Sequence, residues 1–354
     1  MIRIEGSLMS RDKEIAKITD GKLGESVDAL LPLYLRRTRN VADWLVSRSI
    51  DLRRTNARLL KKALRLQKMN VIQMVLSVNA ATVTDNYWFR PEGSSLTHED
   101  VRFKENYFDE LALRGDPDSF SRDPSRTPEL TNIGSFEKCW KLIDGKWYMY
   151  KSGNQKEYFS ELFICKLGQR LGFDMAAYEM CGEYIRSQDF TNAGQVNFEP
   201  MSALIDDDED YENNFSLLNR LSPRFAEQYL RILWLDTICF NMDRHTENYG
   251  FLRDADTGEI LSLAPNYDNN IALIARDYPK DRSRQKDGMI RFFREFAEGN
   301  AEAVKMYHCM AIPEITSEML DGIFSEISIK EDADFIKDFI LSGQEIVREI
   351  LRDK

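Results

Sequence analysis

Apolar residues recur at helical spacing from Asn40 to about Leu66, a stretch without glycine or proline, and the pattern predicts helices there. From Arg90 to Leu130 the periodicity dissolves. Pro91, Gly93, Gly115, Pro117, Pro124 and Pro128 stand among Ser and Asp residues, which predicts loop or linker and a boundary near Pro128. Beyond it, aromatic-rich segments flank Asp144-Gly145, the two-residue signal of a type I′ hairpin. Phe159, Leu162, Phe163, Leu167 and Leu171 then mark one face of an amphipathic helix that stops at Gly172. A long helical region follows from about Pro223 to Phe240, a second hairpin signal from Gly250 to Ala264, and helical periodicity from Glu298 onward. This order predicts an α+β chain in three parts. They are a mainly helical and loop-rich N-terminal extension (1–127), a small mixed α/β lobe (128–200) and a mostly helical lobe (201–354).

With 43% hydrophobic residues over 354 positions, the chain has enough apolar side chains for one large core or a few smaller ones. The net charge of -11 argues against nonspecific capture by nucleic acid over the whole surface. Charge is uneven, however. Asp206 to Asp210 form an acidic run that reads as a solvated loop, and the segment from Arg36 to Lys68 is rich in Arg and Lys, opposed only by Asp43 and Asp51. That segment either binds nucleic acid or packs on acidic surface elsewhere in the chain, and the absence of a base-reading motif favours packing. The five cysteines are widely spaced and mostly set among apolar neighbours, as reduced core thiols are. The N-terminal residues lack the apolar stretch of a secretory signal, and no apolar run approaches the roughly 20 residues that span a bilayer. These features predict a soluble cytoplasmic protein without membrane association.

Candidate chemistry lies in one constellation. Transfer of a phosphoryl group from ATP needs a carboxylate to orient the attacking hydroxyl and oxygen ligands to hold Mg2+ against the phosphates. Asp243 and Asn248, five positions apart in Asp243-Arg244-His245-Thr246-Glu247-Asn248, have the spacing of the base and metal ligand in protein-kinase catalytic loops. Asp268 follows the second hairpin and a strand-breaking Pro265, where a second metal carboxylate is expected. Upstream, Lys151 closes a predicted strand and suits the phosphates, with Glu161 in the next helix as its preferred partner and Glu157 as competitor. The loop Thr131 to Phe136, with Gly134 and Ser135, is placed to offer backbone N–H groups to phosphate. His245 invites a general-base role, but the kinase template assigns that to the aspartate, so His245 reads as structural. Asp254 to Glu259 is a hairpin turn and not a calcium loop, because Gly258 stands where a ligand is needed. His98 and His308 lack the Cys or His company of a zinc site.

The segment NMDRHTENYGFLRD followed by LAPNYD resembles the HipA-like kinases, a bacterial serine/threonine kinase family with an N-x-D-R-H-x-x-N catalytic segment. The small lobe is similar as well, with a Gly-x-x-x-Lys loop at Gly134 to Lys138, a strand lysine at Lys151 and a helical Glu161. The resemblance covers roughly residues 130 to 275 and weakens beyond them. It implies a bilobal protein-kinase-like fold related to phosphoinositide-3-kinase-like enzymes. It also implies ATP and Mg2+ as cofactors, Asp243 as base, Asn248 and Asp268 as metal ligands, and Lys151, Glu161, Gly134 and Ser135 at the nucleotide. The expected acceptor is a protein Ser or Thr. A small-molecule or lipid hydroxyl, or a non-catalytic nucleotide- or nucleic-acid-binding regulator, are the alternatives. Family members autophosphorylate a serine of the phosphate loop; Thr131 stands at that position here, and Ser135 is the other candidate. Many belong to toxin-antitoxin systems, which implies an antitoxin-like or DNA-binding partner protein.

Overall fold

Period-two alternation builds the first sheet. In β2 (Lys13–Thr19) the residues Ile15, Ala16 and Ile18 are buried while Lys13, Lys17 and Thr19 face solvent. With β1 (Gly6–Ser10), β3 (Lys22–Ser26) and β4 (Tyr87–Pro91) it forms an antiparallel sheet of order β3-β2-β1-β4. Asp20 (φ 50°) and Gly21 (φ 73°) both adopt the left-handed backbone that a type I′ turn requires between β2 and β3. This sheet corrects the expectation of a mainly helical N-terminal region. Its strands are only five to seven residues long, and over so few positions alternation is a weaker signal than the helical periodicity that follows. Helices Val41–Ser47 and Ala57–Ala63 do form within that later stretch. Its cations divide. Arg48 is buried on Asp85, Arg54 is buried on backbone carbonyls, and Arg39 and Arg53 pair with Asp28 and Asp51, whereas Arg58, Lys62, Arg65 and Lys68 are exposed, Lys62 over the Phe120 ring.

The computed structural model describes residues 4–122 and 126–352, and Pro124 of the predicted linker lies outside the described residues. The hairpin at Asp144-Gly145 forms as β5 (Lys138–Ile143) and β6 (Lys146–Lys151), with φ of 50° and 76° at its two turn residues. Together with β7 (Tyr178–Cys181) and β8 (Tyr184–Gln188) it makes a second four-stranded sheet, β5-β6-β8-β7. A third, of order β11-β10-β9, uses β9 (Val196–Pro200), β10 (Gly250–Asp254) and β11 (Ile260–Leu263). The β10-β11 turn is closed by Asp254, whose carboxylate accepts the N–H groups of Asp256 (3.0 Å) and Thr257 (2.7 Å).

The chain divides into two compact units. The first comprises Met1–Gly153, Glu179–Leu204 and Phe251–Leu261. It holds two apolar cores, one around Leu8, Trp44 and Phe89, the other around Trp88, Phe108 and Trp147. A fully buried Arg253 pairs there with buried Glu199. The second unit comprises Asn154–Tyr178, Ile205–Gly250 and Ser262–Lys354 and is mostly helical. Its first helix, Gln155–Arg170, starts on an Asn154–Glu157 capping box, and Phe159 and Phe163 pack with Phe324 of the helix Ser317–Glu326. No helix among the described residues is long and apolar enough to cross a membrane.

Candidate active site

The candidate catalytic segment leaves the C-terminus of the helix Pro223–Ile238, and that helix end is capped by a cation. Buried Arg284 donates to the carbonyls of Thr237 (2.6 Å) and Ile238 (2.7 Å) and is itself paired with Asp287. A positive charge here meets the negative end of the helix dipole and fixes where the chain departs. After Phe240, with φ of 54°, Asn241 accepts the Asp243 N–H at 3.1 Å. The loop then closes on itself. The Asp243 carbonyl accepts from the His245 N–H (3.0 Å) and from Asn248 Nδ2 (2.9 Å), so the Asn248 side chain is held with its oxygen turned away from the backbone it is tethered to. His245 Nδ1 accepts the Glu247 N–H at 3.2 Å, a loop-shaping bond in keeping with a structural histidine.

Arg244 joins this loop to the Asp268 segment. Its guanidinium is buried and makes a two-pronged pair with Asp236 (2.8 and 3.0 Å). It also donates to the carbonyls of Asn248 (2.6 Å) and Tyr267 (2.8 Å) and to the side-chain oxygens of Asn266 (2.9 Å) and Asn269 (2.7 Å). One planar fork therefore sets Asn248 and the residue preceding Asp268 relative to each other, a task that suits arginine's rigid donors. Asp268 takes a left-handed conformation, φ 61°, which aspartate tolerates, and its N–H donates to Tyr178 Oη at 3.3 Å. The next N–H, of Asn269, donates to buried Glu161 at 2.9 Å. Glu157, the competitor, is engaged in the capping box and accepts the Asn154 N–H at 2.8 Å.

Electrostatics favour a cation at this place. Burial raises the Asp243 pKa above the ordinary aspartate range, His245 opposes the shift, and the charge of Asp268 adds to it. Among the described residues no group of three or more His, Cys, Asp or Glu side chains is gathered to hold a metal ion. The set here is two carboxylates and an amide oxygen, hard donors of the kind Mg2+ takes when phosphates and water complete its shell. By donor chemistry, Asn248 and Asp268 fit the ion.

Lys151, Gly134 and Ser135 lie in the first unit. Lys151 ends β6 and is buried. Gly134 has φ of 118°, and a β-carbon there would run into the ammonium of Lys138, so the Gly-x-x-x-Lys loop folds its lysine back over its glycine. Ser135 is exposed on this loop. Thr131 is buried, and its hydroxyl donates to the carbonyls of Ala81 (2.7 Å) and Pro128 (3.2 Å). Sequence reasoning passed over Asp236, Asn241, Asn266 and Asn269, which surround Arg244. The doubled Asn in Tyr267-Asp268-Asn269-Asn270 was the available signal.

No protein-family model matches the sequence, and no curated protein matches it. Solved structures do. The chain superposes on HipA of the Shewanella oneidensis MR-1 toxin-antitoxin system, solved with HipB and its operator DNA, with a TM-score of 0.57, covering 99% of both chains at 13% identity. A proinflammatory kinase of Helicobacter pylori, CtkA, is matched at a TM-score of 0.48 and 17% identity over 61% of this chain and 91% of the other. The full-length superposition identifies the architecture: a mixed α/β chain with the HipA-like kinase fold and, among the described residues, three small antiparallel sheets.

Proposed function

We propose that this protein is an ATP- and Mg2+-dependent serine/threonine protein kinase of the HipA-like family. The observation that carries the reading is the Arg244 network, because it joins the Asp243–Asn248 loop to the Asp268 segment through one buried guanidinium. In this reading Asp243 accepts the proton of the attacking hydroxyl and aligns it, a role its raised pKa aids by making the carboxylate a better base. Asn248 and Asp268 hold Mg2+. Lys151 is the residue assigned to phosphate charge, Glu161 is assigned to the nucleotide site, and the loop bearing Gly134 and Ser135 is assigned to the phosphates. ATP and its Mg2+ supply the transferable group and screen its charge; the chain's own residues position, desolvate and remove one proton.

The full-length likeness to a HipA solved with HipB and operator DNA supports a small antitoxin-like, DNA-binding partner protein and a cytoplasmic setting, in which the five free thiols would stay reduced. The test is transfer of radiolabelled phosphate from ATP to lysate proteins and to separated small metabolites, for wild type, Asp243→Ala and Asp268→Ala. Label in protein Ser or Thr that is lost in both folded variants is the expected result. Label confined to metabolites moves the acceptor class, and absence of nucleotide binding by wild type refutes the reading.

A further inference from the structure

The candidate phosphate loop stands on a buried carboxylate that no part of the proposed mechanism uses. Glu129 lies in the short turn of 3-10 helix Pro128–Thr131 just before the loop and is fully buried. One oxygen accepts the N–H of Trp140 (2.7 Å) and Nδ2 of Asn106 (2.8 Å), and the other accepts Nδ2 of Asn132 (2.9 Å). Asn132 opens the loop and Trp140 lies two residues beyond Lys138, where β5 begins, so one carboxylate bridges both loop ends. Arg54 does the same from the acceptor side, donating to the carbonyls of Asn132 (3.1 Å) and Lys138 (2.5 Å).

We infer that Glu129 is a positioning residue which, as its carboxylate, clamps the two ends of the loop 132–138 and so sets its grip on nucleotide phosphate, in a proton-dependent way. The nucleotide part rests on the kinase reading; the clamp does not. All three partners of Glu129 are N–H donors, and protonation of the buried group removes the negative charge to which they donate and so weakens those bonds. The charged and titratable groups facing it are Arg54, from the segment before the helix Ala57–Ala63, and the Cys139 thiol of β5; the other polar neighbours, Asn106, Asn132 and the Trp140 N–H, are neutral. Burial raises the carboxyl to about 7, against the opposing pull of Arg54, so its proton is exchanged in the neutral range.

Two readouts on the full chain test this. Amide hydrogen exchange of residues 132–138, corrected for intrinsic rates, is compared at about pH 6 and about pH 8, and affinity for a fluorescent ATP analogue with saturating Mg2+ is measured at the same two values. One hydrogen bond to a charged group corresponds to about a tenfold change, so wild type should be about tenfold better protected, and bind about tenfold more tightly, at the higher pH. Glu129→Gln should give the low values at both. Asn132→Ala, which removes one partner and leaves the buried carboxyl in place, should blunt the step where Glu129→Gln fails to fold. Equal wild-type protection at both pH values, or a step retained in Glu129→Gln, overturns the clamp. A loop that tightens while affinity stays flat overturns the positioning role. A loop that tightens in a wild type that binds no nucleotide upholds the clamp and refutes the kinase reading.

Discussion

At the scale of single residues, burial decides which polar groups are replaceable. Asp236 and Arg244 are each about 1% exposed in their side chains, and removing one partner of such a pair strands a charge. Asp236→Ala should lower stability by about 3–5 kcal/mol, read from the denaturant midpoint, and abolish transfer. Glu129 works in the opposite sense. Its folded-state value of about 7 lies above the unfolded carboxylate value, so the folded chain binds the extra proton and stability falls as pH rises from the ordinary carboxylate range through 7. That loss amounts to roughly 3 kcal/mol from this group, and Glu129→Gln should flatten the slope of unfolding free energy over the same window. A group that costs stability in the form that shapes a loop is the expected trade at a functional site. The modification expected in that loop falls on Ser135, because the Thr131 hydroxyl is buried and spent on the Ala81 and Pro128 carbonyls. Phosphopeptide mapping after incubation with ATP should find phosphate on Ser135 and none on Thr131. Asp243, Asn248 and Asp268, the proposed base and metal ligands, are candidates from spacing alone, because they follow the spacing of the kinase template. Glu129 and Asp236 cannot, since a buried carboxylate has no signature until its donors arrive from distant segments.

Elements show the same division. Both Asp-Gly turns are local signals, yet only the one flanked by the aromatic strands β5 and β6 stands out in the sequence. Asp20-Gly21 joins strands whose alternation is brief, so the first sheet is legible only once β4, far along the chain, pairs with β1. The helix Ala333–Arg352 carries a constraint that no periodicity reveals. A β-carbon on Gly343 would run into the Arg284 guanidinium and lie 2.9 Å from its Cζ. Gly343→Ala should therefore displace the cation that caps the helix Pro223–Ile238, at a cost of about 1–3 kcal/mol for overpacking and more where the bonds to Thr237 and Ile238 break. A double-mutant cycle with Arg284→Ala checks the cause. The cost of Gly343→Ala should largely vanish once Arg284 is gone, and additive costs would place the strain elsewhere.

On the scale of the whole molecule, sequence reading sets the N-terminal 127 residues apart, whereas the first compact unit draws them together with residues 128–153, 179–204 and 251–261. The contacts explain why they should be inseparable. Arg253, paired with Glu199, donates to the carbonyls of Ala29 (2.9 Å) and Leu31 (3.0 Å) and to Tyr87 Oη (3.0 Å), while Glu199 accepts the Leu33 N–H at 2.5 Å. Asn86 donates through its backbone and side chain to Asn197 (2.9 and 2.8 Å), and the Phe198 N–H reaches the Thr84 carbonyl at 2.9 Å. Asn106 and Arg54, which hold the ends of the candidate phosphate loop, also come from these residues. A chain reduced to residues 128–354 keeps every proposed catalytic and metal-binding residue. It loses the partners of a buried Arg–Glu pair and one side of the loop clamp, and each stranded polar group costs on the order of 1–3 kcal/mol, against a total stability of about 5–15 kcal/mol. Expressed alone, it should be insoluble or show no cooperative thermal transition, whereas the full chain melts cooperatively. A soluble, cooperatively melting 128–354 fragment that still binds nucleotide would show that the loop is held without its N-terminal contacts, and would move the Arg253 network from a requirement for folding to a connection between parts that fold separately.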